Sequence, residues 1–327
     1  MTSKSSSSSR VKRGWRRRNQ AEEDKAYPRR TPLLADIRKN HQLYILMLPF
    51  FLLFTLMVLI PIVASVALSF TYYNMFQMPE WLGLDNYVNL FVNDEVFLIA
   101  LKNTLIFAIV TGPLSYLVCF CIAWFINELS TRARVILTFI FYAPSLSSSV
   151  YFIWQFLFSG DTYGFINGCL LNIGLISEPV QWLNDPSYNL IVLMIVQLWM
   201  SLGTGFLAFI AGLKSVDTAL YEVGYIDGVS NRWQELLYIT IPMMKPQLFF
   251  GAIMQISASF SVSTISMQLC GFPSTNYSAH TILLHIYDYG TLRYEMGYAC
   301  AIAVVLFVLM LLVKKAVNLL MRYIDDE

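Results

Sequence analysis

Charge is scarce in this chain. Of its 327 residues only 13% are Asp, Glu, Lys or Arg while 57% are hydrophobic, and soluble domains usually carry about 25% charged residues. That excludes an ordinary soluble globular protein and points to a chain that crosses a membrane several times. Catalytic motifs are missing too. There is no G-x-x-x-x-G-K-[ST], no H-E-x-x-H and no G-x-S-x-G, so nucleotide hydrolysis, zinc proteolysis and a serine nucleophile have no recognisable seat. Histidine is limited to His41, His280 and His285. The last two share a segment, but two ligands five residues apart do not complete a metal site. The five cysteines, Cys119, Cys121, Cys169, Cys270 and Cys300, show no metal-ligand spacing. Cys119 and Cys121 read as small apolar filling, and a Cys169–Cys270 pair is left open. No carboxylate sits inside an apolar run away from its ends. A proton- or sodium-driven carrier often needs one, so an external energy source is favoured.

The charges that are present are unevenly placed. Twelve of the 22 Lys and Arg precede residue 41. That run is Ser- and Arg-rich and too poor in apolar residues to fold alone, so residues 1–40 read as a disordered basic tail. A cytoplasmic retention signal that also touches anionic lipid head groups accounts for it without a nucleic-acid partner. The tail is too long for a secretory signal, so the first apolar run is expected to stay as an anchor.

Six stretches reach the roughly 20 mostly apolar residues that a span needs: 43–70, 103–126, 135–158, 190–213, 247–269 and 296–320. The loops between them place 20 of the 22 cations on one side and leave only Lys102 and Arg293 on the other. The positive-inside rule then puts both termini in the cytoplasm. The expected fold is an all-α membrane protein, with residues 41–327 forming one six-span domain. On the outer side, Leu82–Thr104 carries apolar residues at helical spacing (Tyr87, Leu90, Phe91, Phe97, Leu98, Leu101) and reads as an interfacial amphipathic helix, with Trp81 as an anchor. Pro49, Pro61, Pro113, Pro144 and Pro246 punctuate the spans.

One cytoplasmic loop, 214–246, is long and polar, and it reads as two short helices. Ser215 or Asp217 caps the first, with Ala219, Leu220, Val223 and Ile226 on one face and Gly228 ending it. Ser230 or Asn231 caps the second, where Trp233, Leu236, Leu237 and Thr240 share a face. Neither helix is stable alone, so they pack either on the chain's own cytoplasmic surface or on a partner.

The stretch YEVGYIDGVSNRWQELLYITIPMMKP resembles the EAA loop of ABC-transporter permeases, in the carbohydrate-importer branch. Glu222, Asp227, Gly228, Ile239, Thr240, Pro242 and Pro246 match the pattern E-A-A-x-x-D-G-A…I-T-x-P-x-x-x-P, while Val223, Gly224 and Val229 stand where alanines are usual. LPFFLLF, GLDNYVNL, YAPSLSSSVYFIWQFLFSGDTYGFIN and MGYACAIAVVLF resemble other parts of the family, whereas CGFPSTNYSAHTI replaces a usual Gly-Gly-Pro turn. The resemblance implies the type I importer permease fold. It makes Tyr221, Glu222, Val223, Gly224, Asp227, Gly228, Trp233, Ile239 and Pro242 a coupling element that docks on a separate ATPase subunit. It also implies a second permease, usually a distinct one, an extracellular solute-binding protein, and ATP and Mg held by the ATPase pair rather than by this chain. Asp227 would accept hydrogen bonds from the amides that start the second helix.

Span five is rich in hydroxyls. Ser257, Ser261, Thr264 and Gln268 form a helical stripe that either packs helices closely or wets a solute path. Gln155, Gln197, Trp199, Ser201 and Thr204 offer similar chemistry, and amides, hydroxyls and aromatic faces suit a sugar. Tyr142, Trp154 and Trp199 are the aromatic candidates. The function expected is thus the permease subunit of an ATP-driven carbohydrate importer; an ATP-independent carrier or channel, or an importer of another polar solute, is the alternative.

Overall fold

The computed structural model describes residues 41–147 and 150–325, so the tail expected over 1–40 lies outside the described residues. Two compact units meet in sequence at Val63–Ala64. The first holds most of helix α1 (His41–Leu68), which contains Pro49 and a π turn at Thr55–Leu59. The missing amide of Pro61, shortly after, loosens the same ladder.

The second unit opens with a two-stranded hairpin, β1 (Thr71–Tyr72) pairing antiparallel with β2 (Glu80–Trp81). Helix α2 (Asp85–Val88) runs into a π turn at Asn89–Asn93. Asp94 then leaves helical geometry, accepts the Phe97 amide at 2.8 Å and starts α3 (Glu95–Asn127). The interfacial helix expected over Leu82–Thr104 is therefore two elements, and the second span begins at Glu95 rather than Asn103. The reason is local: Asp94 supplies the N-cap, and the helix passes through Glu95 and Lys102 because helical geometry does not require an apolar sequence.

Helix α4 (Thr131–Tyr142) ends in a 3₁₀ turn, Ala143–Leu146, and α5 (Tyr151–Leu157) follows, so the third span is a bent pair instead of one rod. Pro144 sits in that turn, where its lost amide ends the α ladder. After α6 (Phe165–Ile173), α7 (Asn189–Met200) and α8 (Thr204–Ser215) make the fourth crossing with an interruption between them. Next come α9 (Thr218–Ile226), α10 (Arg232–Met243) and α11 (Lys245–Phe260), the last pair bent by 82°. The fifth span is not the continuous 247–269 expected. The helix stops at Phe260 and resumes as α12 (Thr264–Cys270), and the Val262 carbonyl freed by the gap accepts the Thr281 hydroxyl at 2.6 Å. Helix α13 (Ile282–Tyr287) and the long α14 (Met296–Asp325) complete the chain. Among the described residues four helices are long and apolar enough to cross a bilayer, or up to six if each bent pair is one span.

Three buried clusters hold the second unit together. One joins Cys119, Phe206, Phe209, Leu213 and Met244; a second joins Phe107, Leu193, Val196, Ile265 and Leu269; a third joins Leu90, Phe97, Ile282 and Ile302. Large apolar side chains such as Ile109, Phe139 and Phe152 face outward. Such a surface suits hydrocarbon or a partner rather than water. All five cysteines are free thiols, Cys169 and Cys270 included.

Candidate functional site

The segment between α8 and α11 is a built unit. Asp217 rather than Ser215 caps α9, accepting the Ala219 amide at 3.0 Å. Helix α9 ends at Ile226, and the chain reverses through Asp227 to Gly228, whose φ of +95° is open to glycine and strained for other residues. Asn231 caps α10 by accepting the Trp233 amide at 3.2 Å, while the Gln234 side chain reaches back to the Ser230 amide at 3.1 Å. The capping role expected of Asp227 thus falls to Asn231, which lies next to the amides concerned. Asp227 is exposed, and its carboxylate has no hydrogen-bond partner among the described residues.

Two contacts lock α9 against α10. The Tyr221 hydroxyl lies 2.9 Å from Thr240 Oγ1, which also bonds the Glu235 carbonyl at 3.2 Å. Gly224 is buried beneath Ile239: a Cβ at Gly224 would stand 2.6 Å from Ile239 Cδ1. The face expected to unite Trp233, Leu236, Leu237 and Thr240 is split. Leu236 and Thr240 are buried but Trp233 and Leu237 are exposed, because Leu236–Thr240 is a π turn and breaks the 3.6-residue repeat.

The unit is fastened to the ends of the spans. Trp233 packs on Trp124 with ring centroids 5.0 Å apart, and Arg232 bridges Glu128 at 3.3 Å and Glu235 at 2.7 Å. A cleft of about 380 Å³ lies behind it, lined by Glu128, Arg134, Lys214, Tyr221 and Arg232 among others. Several apolar side chains of the unit are bare: Ile226 is 82% exposed, Tyr225 74% and Tyr238 70%, and Val223 and Leu237 are exposed as well. Glu222 and Pro242 are not buried either. Packing on the chain's own surface therefore accounts for Trp233 and Arg232, while these side chains stay uncovered by it.

The hydroxyl stripe is interrupted by the gap after Phe260. The Ser257 and Ser261 hydroxyls bond the carbonyls of Ile253 and Ser257 at 2.9 and 2.8 Å. Ser261, Thr264 and Gln268 remain exposed while Ser257 is half-buried. Trp154 meets Trp199 edge to face at 5.3 Å, and Gln155 donates to the Gln268 carbonyl, so these four come together. Trp154 Nε1 is buried without a hydrogen-bond partner among the described residues. Gln197 is buried and lies about 200° round α7 from Trp199, given some 100° per residue. Tyr142 lines a separate recess with Phe139 and Leu207.

Two polar constellations were not anticipated. The first joins spans two, four and five. Gln255 donates to Cys119 Sγ and to the Ser201 carbonyl, each at 3.1 Å, and accepts from Ser115 at 3.2 Å. Its sequence signal was a lone amide in an apolar run. The second lies at the opposite end from the 217–243 unit. Asp94 Oδ2 accepts from the Tyr298 hydroxyl and contacts His285 Nε2, both at 2.9 Å, and His285 Nδ1 lies 3.1 Å from His280 Nε2. Burial raises the Asp94 pKa, but the Phe97 amide and His285 outweigh it and hold the carboxyl below its usual value. Burial, with His285 alongside, pulls His280 down to about 4. His285 is also lowered by burial, an effect that Asp94 opposes. Among the described residues no group of three or more His, Cys, Asp or Glu is placed to hold a metal ion.

Comparison with known proteins gives a consistent picture. Residues 120–326 match the family model described as the binding-protein-dependent transport system inner membrane component. The chain is 32% identical to a probable ABC transporter permease protein, YesP, of Bacillus subtilis (strain 168), covering 84% of this chain and 88% of that one. It is 31% identical to the lactose transport system permease protein LacF of Rhizobium radiobacter, covering 81% and 88%. A bacterial alginate ABC transporter, crystallised in complex with an alginate pentasaccharide-bound periplasmic protein, has a chain that superposes with a TM-score of 0.73 at 25% identity, covering 89% of this chain and 98% of that one.

Proposed function

This chain belongs to the binding-protein-dependent transport system inner membrane components, and we propose that it is the permease subunit of an ATP-driven importer for a carbohydrate, in the size range of an oligosaccharide. The observation that carries the energy source is the two-sided 217–243 unit. Trp233 and Arg232 fix it to the span ends, while Val223, Tyr225, Ile226, Leu237 and Tyr238 offer a bare apolar face. A patch of that kind marks a protein partner, and an ATPase subunit is the partner this reading assigns to it. Glu222, Asp227 and Gly228, exposed and next to Val223 and Ile226 in the chain, are the coupling residues of this reading. ATP and Mg belong to that ATPase pair, and this chain holds neither.

In this reading both termini and the 217–243 unit face the cytoplasm, as the placement of 20 of 22 cations favours. A second permease, a distinct chain, closes the path, and a solute-binding protein delivers solute from outside. Ser261, Thr264, Gln268 and the Trp154–Trp199 pair line that path together with Ser257. The exposure of Ser261, Thr264 and Gln268 supports this, since polar side chains left against lipid are costly. Aromatic faces and amides suit a sugar's C–H surfaces and hydroxyls, and a lactose and an alginate transporter are among the relatives. ATP drives transport by population shift: the ATPase pair, gripping the inward-open and outward-open states with different free energy, biases one over the other.

The test is pull-down and reconstituted transport with Glu222→Ala and Gly228→Val. Loss of ATPase recruitment or of ATP-dependent uptake supports the assignment, and normal behaviour of both variants contradicts it. Flux without any ATPase subunit would instead favour an ATP-independent carrier, and uptake confined to a non-sugar solute would replace carbohydrate.

A further inference from the structure

Span four is broken at a place that its own backbone satisfies only in part. Helix α7 stops at Met200 and α8 resumes at Thr204. The Ser201 carbonyl, left in the gap, accepts the Gly203 amide at 2.7 Å, Gln255 Nε2 at 3.1 Å and the Cys119 thiol at 3.3 Å. Two of those three donors come from other spans. Gln255 is 3% exposed, and its oxygen is occupied by Ser115. Neighbouring small residues leave it room: a Cβ on Gly205 would stand 3.0 Å from Gln255 Nε2.

The gap also lies between two buried clusters, the first and the second body, which α3 spans. On one side α8 packs on α3 and α11 around Phe206, Phe209 and Met244. On the other, α7 packs on α12 around Leu193, Val196, Ile265 and Leu269, and also on α3, whose Phe107 belongs to the same cluster. Span five is interrupted between the same two bodies, at Ser261–Ser263. The 217–243 unit follows α8 and leads into α11, so a push on that unit is delivered to the first body. Through span four it reaches the second body, which carries Trp199 and Gln268, only across residues 201–203.

We propose that Gln255 is the positioning residue of this joint: it fixes how the two halves of span four meet, so that movement of the 217–243 unit is passed to the half that lines the path. The proposal rests on the coupling role assigned to that unit. A side chain that merely satisfied a carbonyl would affect stability when removed but leave energy coupling unchanged.

The test uses the full importer, with its ATPase and binding protein, in proteoliposomes. Gln255→Met keeps the volume and removes the bonds; Gln255→Glu in its neutral form keeps a donor and an acceptor. The Met variant is expected to assemble and to hydrolyse ATP within about twofold of wild type, while solute moved per ATP falls roughly tenfold, the change that loss of one or two buried bonds carries. The Glu variant is expected to recover most of the ratio. A second readout is maleimide labelling of Cys119 in a chain whose other cysteines are serine; the Met variant is expected to label faster. An unchanged ratio in the Met variant overturns the proposal, as does a loss of ATPase and transport in equal proportion. Should the Met variant fail to accumulate, Ser115→Ala removes the bond to the Gln255 oxygen together with a local bond to the Gly112 carbonyl, and leaves both Gln255 donors in place. A partly lowered ratio there supports the proposal, and a wild-type ratio overturns it. Failure of the coupling assignment is separable: it appears as normal transport in Gly228→Val, while Cys119 labelling in Gln255→Met still reports on the joint.

Discussion

Gly224 stands where the resembling family usually has alanine, and the structure gives a reason that can be measured. A Cβ at 224 would lie 2.6 Å from Ile239 Cδ1 but 3.7 Å from Ile239 Cγ1 and from Val229 Cγ2. One methyl group therefore accounts for the whole conflict. Replacing glycine by alanine inside a helix gains about 0.8–1.0 kcal/mol of propensity. Turning Ile239 off its rotamer to admit the Cβ costs about 0.5–1.5 kcal/mol. Gly224→Ala alone is thus expected to change the stability of α9 by less than about 1 kcal/mol in either direction. Ile239→Val removes Cδ1 and, at this half-buried site, should cost about 0.5 kcal/mol, the low end for this substitution. The double variant recovers the propensity without the clash and should exceed the sum of the single effects by about 1 kcal/mol. Hydrogen exchange of the 218–226 amides in nanodiscs reads this as a roughly fivefold difference in protection. Additivity within about 0.3 kcal/mol would refute the packing argument.

Other expectations follow from the same structure. Gly228→Ala, forced to φ +95° with no steric contact to blame, should destabilise the α9–α10 turn by about 1–3 kcal/mol, read as weaker ATPase pull-down; Gly174→Ala, at a second positive-φ glycine outside the loop, should leave pull-down unchanged. At the opposite end His280 and His285 have lowered pKa values, so their neutral, buried arrangement gains nothing from protons while the opened one does. The arrangement is therefore fully stable above the ordinary histidine value of about 6.5 and weakens as pH falls from there towards the lowered values. Exchange of the 280–292 amides should rise over that window in wild type and less in His280→Gln; a pH-independent profile in wild type refutes the assignment. Cysteines placed at 261, 264 and 268 should react with water-soluble thiol reagents in the assembled importer, and uniform protection would remove them from the path.

Much of this was legible in the sequence, for identifiable reasons. Hydropathy locates spans because the bilayer sets a minimum apolar length, and the caps Asp217 and Asn231 are read locally because capping spans only a few residues. The family pattern of Glu222, Asp227, Gly228 and Pro242 pointed to the 217–243 unit. What was not legible depends on distance. The gap after Phe260 hides in a run whose serines keep helical spacing, and its Val262 carbonyl is satisfied by Thr281 across an outer turn. His280 and His285 were visible as a pair, but their partner Asp94 lies 191 residues before His285. Gln255 was visible as one amide among apolar residues, yet its meaning depends on Ser115, Cys119 and Ser201 arriving from two other spans.

If the 217–243 unit couples a separate ATPase to carbohydrate uptake through this chain, uptake must depend both on ATP and on that unit. The most direct measurement is uptake of labelled oligosaccharide into proteoliposomes holding the complete importer, with and without ATP, for wild type and Gly228→Val. Uptake is expected to require ATP in wild type and to collapse in the variant while its membrane abundance is kept. Uptake that proceeds without ATP, or that persists unchanged in Gly228→Val, would contradict it.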